Sequence, residues 1–231
     1  MNEPVLDISL TSFTDYLLRV GMSKLTEAHL IREQYLAGYK QYKDYYRPFR
    51  RAVRAIHRQN RPVHDLDQLP PTIPDLRGKR TNYELMARGY KRFWATNYQE
   101  MDFRWTRPAR ATWRHDRLSV RVNPELAFTN GQETHLLKLY LKKEKPTREQ
   151  VRLILHLMQI TLRQQVKKPI LGLVDIRRGR FFEETAFDPR LTVLLEGEAA
   201  GFVQMYRSIE SFLELQALNG GGRNMADIVE G

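Results

Sequence analysis

Near residue 109 the spacing of the apolar residues changes from helical to alternating, and this change constrains the fold more than any other feature of the chain. In LSVRV, Leu118, Val120 and Val122 alternate with Ser119, Arg121 and Asn123. A period of two places one face of a strand in a core and the other outward. Pro124 cannot donate to a ladder, so an edge, a bulge or a bend is expected there. Asn130-Gly131 is a turn signal. THLLKLYLKK follows it, with Leu137, Leu139 and Leu141 pointing one way and Thr134, Leu136, Lys138, Tyr140 and Lys142 the other. ATWRHD is a further short strand, and Asp116-Arg117 fits a tight turn after it.

Thr147 and Gln150 have capping-box spacing and open a helix through VRLILHLMQITLRQQ, apolar enough to be substantially buried. PILGLVDIRRG is a buried-type strand, and Gly179 begins a turn towards FFEE. Asp188-Pro189 starts a long helix that ends near Leu218.

Before residue 109 the pattern is helical. A short segment from about Thr11 to Val20 is followed by Gly21 and a second segment from Leu25 into the forties. Pro48 suits the first turn of a third helix, in which Phe49, Val53 and Ile56 form a buried stripe. Arg47, Arg51, Arg54 and Arg58 share another face of that helix, an exposed basic stripe. The tyrosines at 35, 39, 42, 45 and 46 are expected to pack against neighbouring elements. Residues 61–80, rich in Pro, Asp and Gly, predict a long irregular connection. Thr81 and Glu84 have capping-box spacing and open a helix through about Trp94. The expected fold class is α/β, a small mixed sheet flanked by helices, with a helix-strand-strand-strand-helix-strand core after an N-terminal helical region. The domains expected are residues 1–80, residues 81–218 and a flexible tail, 219–231.

Charge narrows the partners. The net charge is +11, which favours polyanions through phosphate contacts and counterion release. It is concentrated: residues 40–58 hold seven Lys/Arg and one Asp, and residues 142–180 hold eleven Lys/Arg and three Asp/Glu. Residues 181–231 are acidic, with nine Asp/Glu against three Arg. No cysteine is present, which excludes disulfides, thiolate nucleophiles and sulfur-ligated zinc. No apolar run reaches about 18 residues, and MNEPVLDISL lacks the basic-then-apolar order of a secretory signal. The expected location is cytoplasmic.

The six histidines form no H-x-x-x-H or H-E-x-x-H pattern, and no Gly-rich phosphate loop or G-x-S-x-G elbow occurs. His156, within an apolar helix, is expected to be structural. Asp175, on a buried-type strand, either pairs with Arg177 or another base or serves a site.

The element order from residue 81, with Pro124-Glu125 and Lys138 upon it, resembles the PD-(D/E)xK nuclease superfamily, RecB-like exonucleases included. The resemblance covers roughly residues 81–183. In that family one core strand brings an acidic residue, often after a Pro, and the next brings a (D/E)-x-K triplet. The carboxylates hold magnesium and the Lys orients or activates water. The resemblance implies catalytic roles for Glu125 and Lys138, a metal-ligand role for Glu125, and one for Glu84 from the preceding helix. The chain departs from the pattern at Leu136, where the triplet reads L-x-K and can supply no ligand.

These observations imply a DNA- or RNA-binding protein on a nuclease-like fold, catalytically inactive or much altered. Its phosphate-binding surface would comprise Arg47, Arg51, Arg54, Arg58, Lys142, Lys143, Arg177, Arg178 and Arg180. One alternative is a divergent magnesium-dependent DNA nuclease. Another is a protein-interaction or regulatory module, with a protein partner or a second copy, working through its acidic C-terminal region and tyrosine-rich helices.

Overall fold

The computed structural model describes residues 6–38, 44–75 and 77–218. Tyr39, Tyr42 and the tail from 219 therefore lie outside the described residues. The chain is mixed α/β and divides into two compact units. The first gathers residues 1–40, 112–121 and 188–231, and the second gathers 41–111 and 122–187. The Pro-rich connection at 61–80 falls inside the second unit.

The first unit is built on a three-stranded sheet of β1 (Leu6–Ser9), β3 (Ala111–His115) and β4 (Leu118–Val122), in the order β1-β4-β3. β1 runs parallel to β4, with Leu6 opposite Leu118 and Ile8 opposite Val120. Its four residues are too few for a period to show in the sequence. Ser9 ends the strand and caps α1 (Leu10–Leu17), its side chain accepting from the Ser12 N–H. α2 (Met22–Leu36) and α6 (Pro189–Leu218) pack together in this unit. The inward stripe of α6 is Leu195, Ala199, Phe202, Val203, Tyr206 and Ile209, and the Phe202 ring meets Tyr16 of α1 edge-on at 4.9 Å.

The second unit holds a five-stranded sheet in the order β2-β5-β6-β7-β8. Its strands are β2 (Arg104–Trp105), β5 (Leu126–Thr129), β6 (Thr134–Tyr140), β7 (Ile170–Asp175) and β8 (Arg180–Glu183). β5 and β6 are an antiparallel hairpin, and β6 and β7 are parallel, joined through α5 (Arg148–Leu162). Thr147 caps α5 by accepting from the Gln150 N–H, as its spacing predicts. On one face of the sheet Leu126, Phe128, Leu137 and Leu139 meet a core from α3 (Arg47–Arg58) and α4 (Lys79–Asn97) that includes Phe49, Val53, Met86, Tyr90 and Phe93. α5 packs on β7.

Four expectations change, the first being the second helix, expected to run from Leu25 into the forties, which ends at Leu36. The strands do not share one sheet: β4 belongs to the three-stranded sheet, and a further strand, β5, begins after Pro124 and pairs with β6. Leu126, Ala127 and Phe128 are all buried, so β5 has no alternation to read. The connection at 61–80 is folded, carrying 3₁₀ turns at Val63–Gln68 and Pro70–Thr72 and burying Leu66 and Ile73 in the core. α4 opens at Lys79 after Gly78, which has φ of 69° and serves as its cap, so Thr81 lies inside the helix. Among the described residues, no helix is long and apolar enough to cross a membrane.

His57 of α3 is buried in this core, its Nε2 2.6 Å from the Tyr90 hydroxyl. Burial pulls its pKa from 6.5 down to about 4. The unfolded chain therefore binds the proton more readily, so the stabilisation is complete above pH 6.5 and is lost as pH falls towards 4. The loss expected is about 3 kcal/mol, at about 1.4 kcal/mol for each pH unit. Burial also lowers His135, whose loss has the same sign. Urea unfolding between pH 7 and pH 4 should show a shallower decline for His57→Phe than for the native chain.

Candidate nucleic-acid interface

Glu125 and Lys138 meet because of the hairpin between them. In its turn, Asn130 Oδ1 accepts from the Gln132 and Glu133 N–H groups at 3.0 and 2.8 Å, and Gly131 takes φ of 91°. This turn sets the register Leu126 to Leu137 and Ala127 to Leu136. Glu125 precedes β5 and comes opposite Lys138. Lys138 Nζ donates to Glu125 Oε1 at 2.7 Å and to the Asn123 carbonyl at 3.2 Å. The Leu139 N–H donates to Glu125 Oε2 at 2.9 Å. Glu125 is 6% exposed, and both carboxylate oxygens are engaged.

These side chains do not fit a magnesium ion. Such a site needs oxygen ligands converging on one point, and here an ammonium group sits against the one carboxylate. Leu136 is 1% exposed, between Ala127 and Leu171. Glu84 is exposed on α4, and Glu133 is exposed at the hairpin turn with its carboxylate 3.7 Å from His135 Nε2. No group of three or more His, Asp or Glu side chains able to hold a metal forms among the described residues.

The basic residues behave differently. β6 and β7 run parallel, with Tyr140 opposite Asp175, and the Ile176 N–H donates to the Tyr140 carbonyl. The residues after each strand are therefore side by side. Arg177 Nε donates to the Leu141 carbonyl at 3.3 Å, and Arg178 Nη2 to the Lys143 carbonyl at 3.1 Å. Arg178 Nη1 also reaches Asp175 Oδ2 at 3.1 Å, so Asp175 (0% exposed) pairs with Arg178 rather than Arg177. Lys142 is half-buried here, and Lys143 and Arg180 are exposed.

Two residues outside the sequence expectation join this cluster. Gly179, with φ of 59°, turns the chain against α4, and a Cβ on it would lie 3.1 Å from the Arg92 Cβ. Arg92 thus stands beside the Arg177–Arg180 turn, with Arg88 one helical turn away on the same exposed side. Gly89, in the interior of a helix, was the sequence signal for this close approach.

The arginine stripe of α3 is only partly exposed. Arg51 and Arg58 face solvent and Arg47 is half-buried. Arg54 turns inward, its Nε donating to the Glu125 carbonyl at 3.1 Å. Burial lowers the Arg54 pKa, Glu125 opposes that effect, and Arg50 and Arg110 add to it. The start of α3 connects to the basic turn: Arg177 Nη1 donates to Asn82 Oδ1, Asn82 Nδ2 donates to the Tyr45 hydroxyl at 2.8 Å, and Lys79 Nζ stands 5.1 Å from the Tyr45 ring centre. Lys79 and Arg177 are thereby linked through Tyr45 and Asn82, close to where α3 begins.

The chain matches no protein-family model, and no curated protein matches it.

Proposed function

We propose that this chain is a nucleic-acid-binding protein that holds phosphates on the basic end of its five-stranded sheet and carries out no metal-dependent hydrolysis at Glu125 and Lys138. The observation that carries the proposal is the convergence of Lys142, Lys143, Arg178, Arg180 and Arg92 around the ends of β6 and β7. Arg177 and Arg178 spend part of their donor capacity on the Leu141 and Lys143 carbonyls. They hold the two strand ends together, and the exposed Lys143, Arg180 and Arg92 supply charge to the solvent side. Such groups bind phosphate without reading sequence and release counterions as they do so.

Kinship with the PD-(D/E)xK fold belongs to the same reading. It is supported by the β5–β6 hairpin, the connecting α5 and the parallel β7, with Glu125 and Lys138 at the positions the resemblance implies. The nuclease alternative loses support because both Glu125 oxygens are occupied. A cytoplasmic site of action goes with a chain that contains no cysteine.

The test is the salt dependence of binding to duplex DNA. The triple variant Arg92→Ala, Lys143→Ala, Arg180→Ala should lower the slope of log affinity against log salt by roughly 0.9 for each phosphate it no longer neutralises. An unchanged slope rejects this surface. Failure to bind any DNA or RNA at low salt favours the protein-interaction module, and magnesium-dependent cleavage abolished by Glu125→Gln establishes the nuclease.

A further inference from the structure

The other end of the same sheet holds a pocket of about 290 Å³ that the basic surface does not use. Its lining includes the half-buried Trp94, Phe103 and Trp105, together with the buried His57 and Phe128, and Arg61. The last turn of α3 contributes His57, α4 contributes Trp94, and the β2–β5 pairing sets Trp105 opposite Phe128. Ring centres lie 4.3 Å apart for His57 and Trp94, 4.9 Å for His57 and Phe128, and 5.1 Å for Trp94 and Phe128. Asn60, with φ of 51°, reverses the chain after α3 and brings Arg61 and Pro62 to the pocket.

The chemistry of this lining selects its occupant. At about 290 Å³ the pocket is at the small end for ligand sites, suited to one ring system rather than a drug-sized molecule. No carboxylate lines it, and the cation at its edge, Arg61, is oriented by Asp65, whose Oδ2 accepts from Arg61 Nε and Nη2 at 2.8 and 2.7 Å. Burial keeps His57 neutral at physiological pH, leaving the inner wall uncharged. Aromatic walls fit a flat neutral ring, and an arginine with donors left beyond its Asp65 pair fits an anionic group attached to that ring.

We infer that this pocket takes an unstacked nucleobase of a single-stranded nucleic acid, with Arg61 meeting the adjoining phosphate. This rests on the nucleic-acid-binding reading above and specifies the form of the ligand. A base extruded from a single strand need not break pairing to enter, and stacking on aromatic side chains tolerates any base. Along β6, the pocket lies beside His135, which pairs with Phe128, and the basic turn lies beside Leu141. The strand between them spans about 20 Å at about 3.3 Å for each residue.

Fluorescence anisotropy with a labelled single strand of about ten nucleotides, and with an abasic strand of equal length, tests the inference. The native chain should prefer the base-bearing strand by about tenfold, the low end of what one stacked base contributes. Trp105→Leu should abolish that preference with the salt slope unchanged, and Trp105→Phe, which keeps an aromatic face, should retain most of it. Arg61→Ala, at an exposed position, should lower the salt slope by roughly 0.7, the single-strand value for one phosphate. Equal binding of the two strands overturns the pocket and leaves the basic surface standing. A preference that survives Trp105→Leu also overturns it. Binding of a nucleoside monophosphate by the pocket, without any preference for the base-bearing strand, overturns the strand as its source. No binding of either strand at low salt while duplex DNA still binds overturns this inference alone, and no binding of any of the three overturns the reading on which it rests as well.

Discussion

Glu125→Leu should destabilise the protein by about 3–5 kcal/mol, the cost of leaving a buried partner charge uncompensated. The carboxylate does two jobs: it pairs with Lys138 at 2.7 Å and accepts from the Leu139 N–H at 2.9 Å, where β6 extends past the first residue of β5. Removing it strands the ammonium among groups that are largely buried, since the Lys138 and Glu125 side chains are 14% and 8% exposed. Adding Lys138→Met removes that charge, and the double variant should recover about half of the loss. The remaining deficit, about 1–3 kcal/mol, belongs to the Leu139 N–H left without an acceptor. Urea unfolding of the native chain, both single variants and the double variant measures the coupling directly. Independent, additive losses would show that the pair is no structural staple and would make Glu125 a group held ready for chemistry.

Gly89→Ala should cost about 3 kcal/mol, the upper end for overpacking and the range in which backbone must move. A Cβ at Gly89 would lie 1.9 Å from the Ile176 carbonyl oxygen and 2.8 Å from that of Arg177. Neither atom is a flexible side-chain end, so α4 must shift from the end of β7. The melting temperature should fall by about 6–12 °C, at about 2–4 °C for each kcal/mol in a chain of this size. The displacement would also disturb the basic turn, because Gly179 sits against the Gly89 carbonyl and Arg92. Nucleic-acid affinity measured well below the new melting temperature should therefore fall as well. Full stability in this variant would mean that α4 and β7 do not approach as closely as the structure places them.

The helices, the strands of the crossover and the mixed α/β class were legible because their signals are local. Leu137 and Leu139 alternate along β6, Thr147 caps α5, and Pro189 opens α6. A side chain's direction along one strand or helix depends on its own backbone period, which the sequence carries. The thirteen-residue separation of Glu125 and Lys138 was legible too, since the Asn130-Gly131 turn is a local signal. Less was legible where burial is complete or elements are short. β5 hides its period because both faces are covered, and β1 has only four residues. Arg54 belongs to the arginine stripe by spacing, yet folding turns it onto the Glu125 carbonyl.

By itself, then, the sequence determined the element types, the uneven charge and the missing carboxylate at Leu136, since each is a property of residues near one another in the chain. Only the tertiary structure decided which sheet each strand joins, and it alone put Arg92 beside Arg178 and Arg180. It also decided that Glu125 spends both oxygens on Lys138 and Leu139. Those outcomes depend on register and close approach between segments distant in sequence, and no local period encodes them.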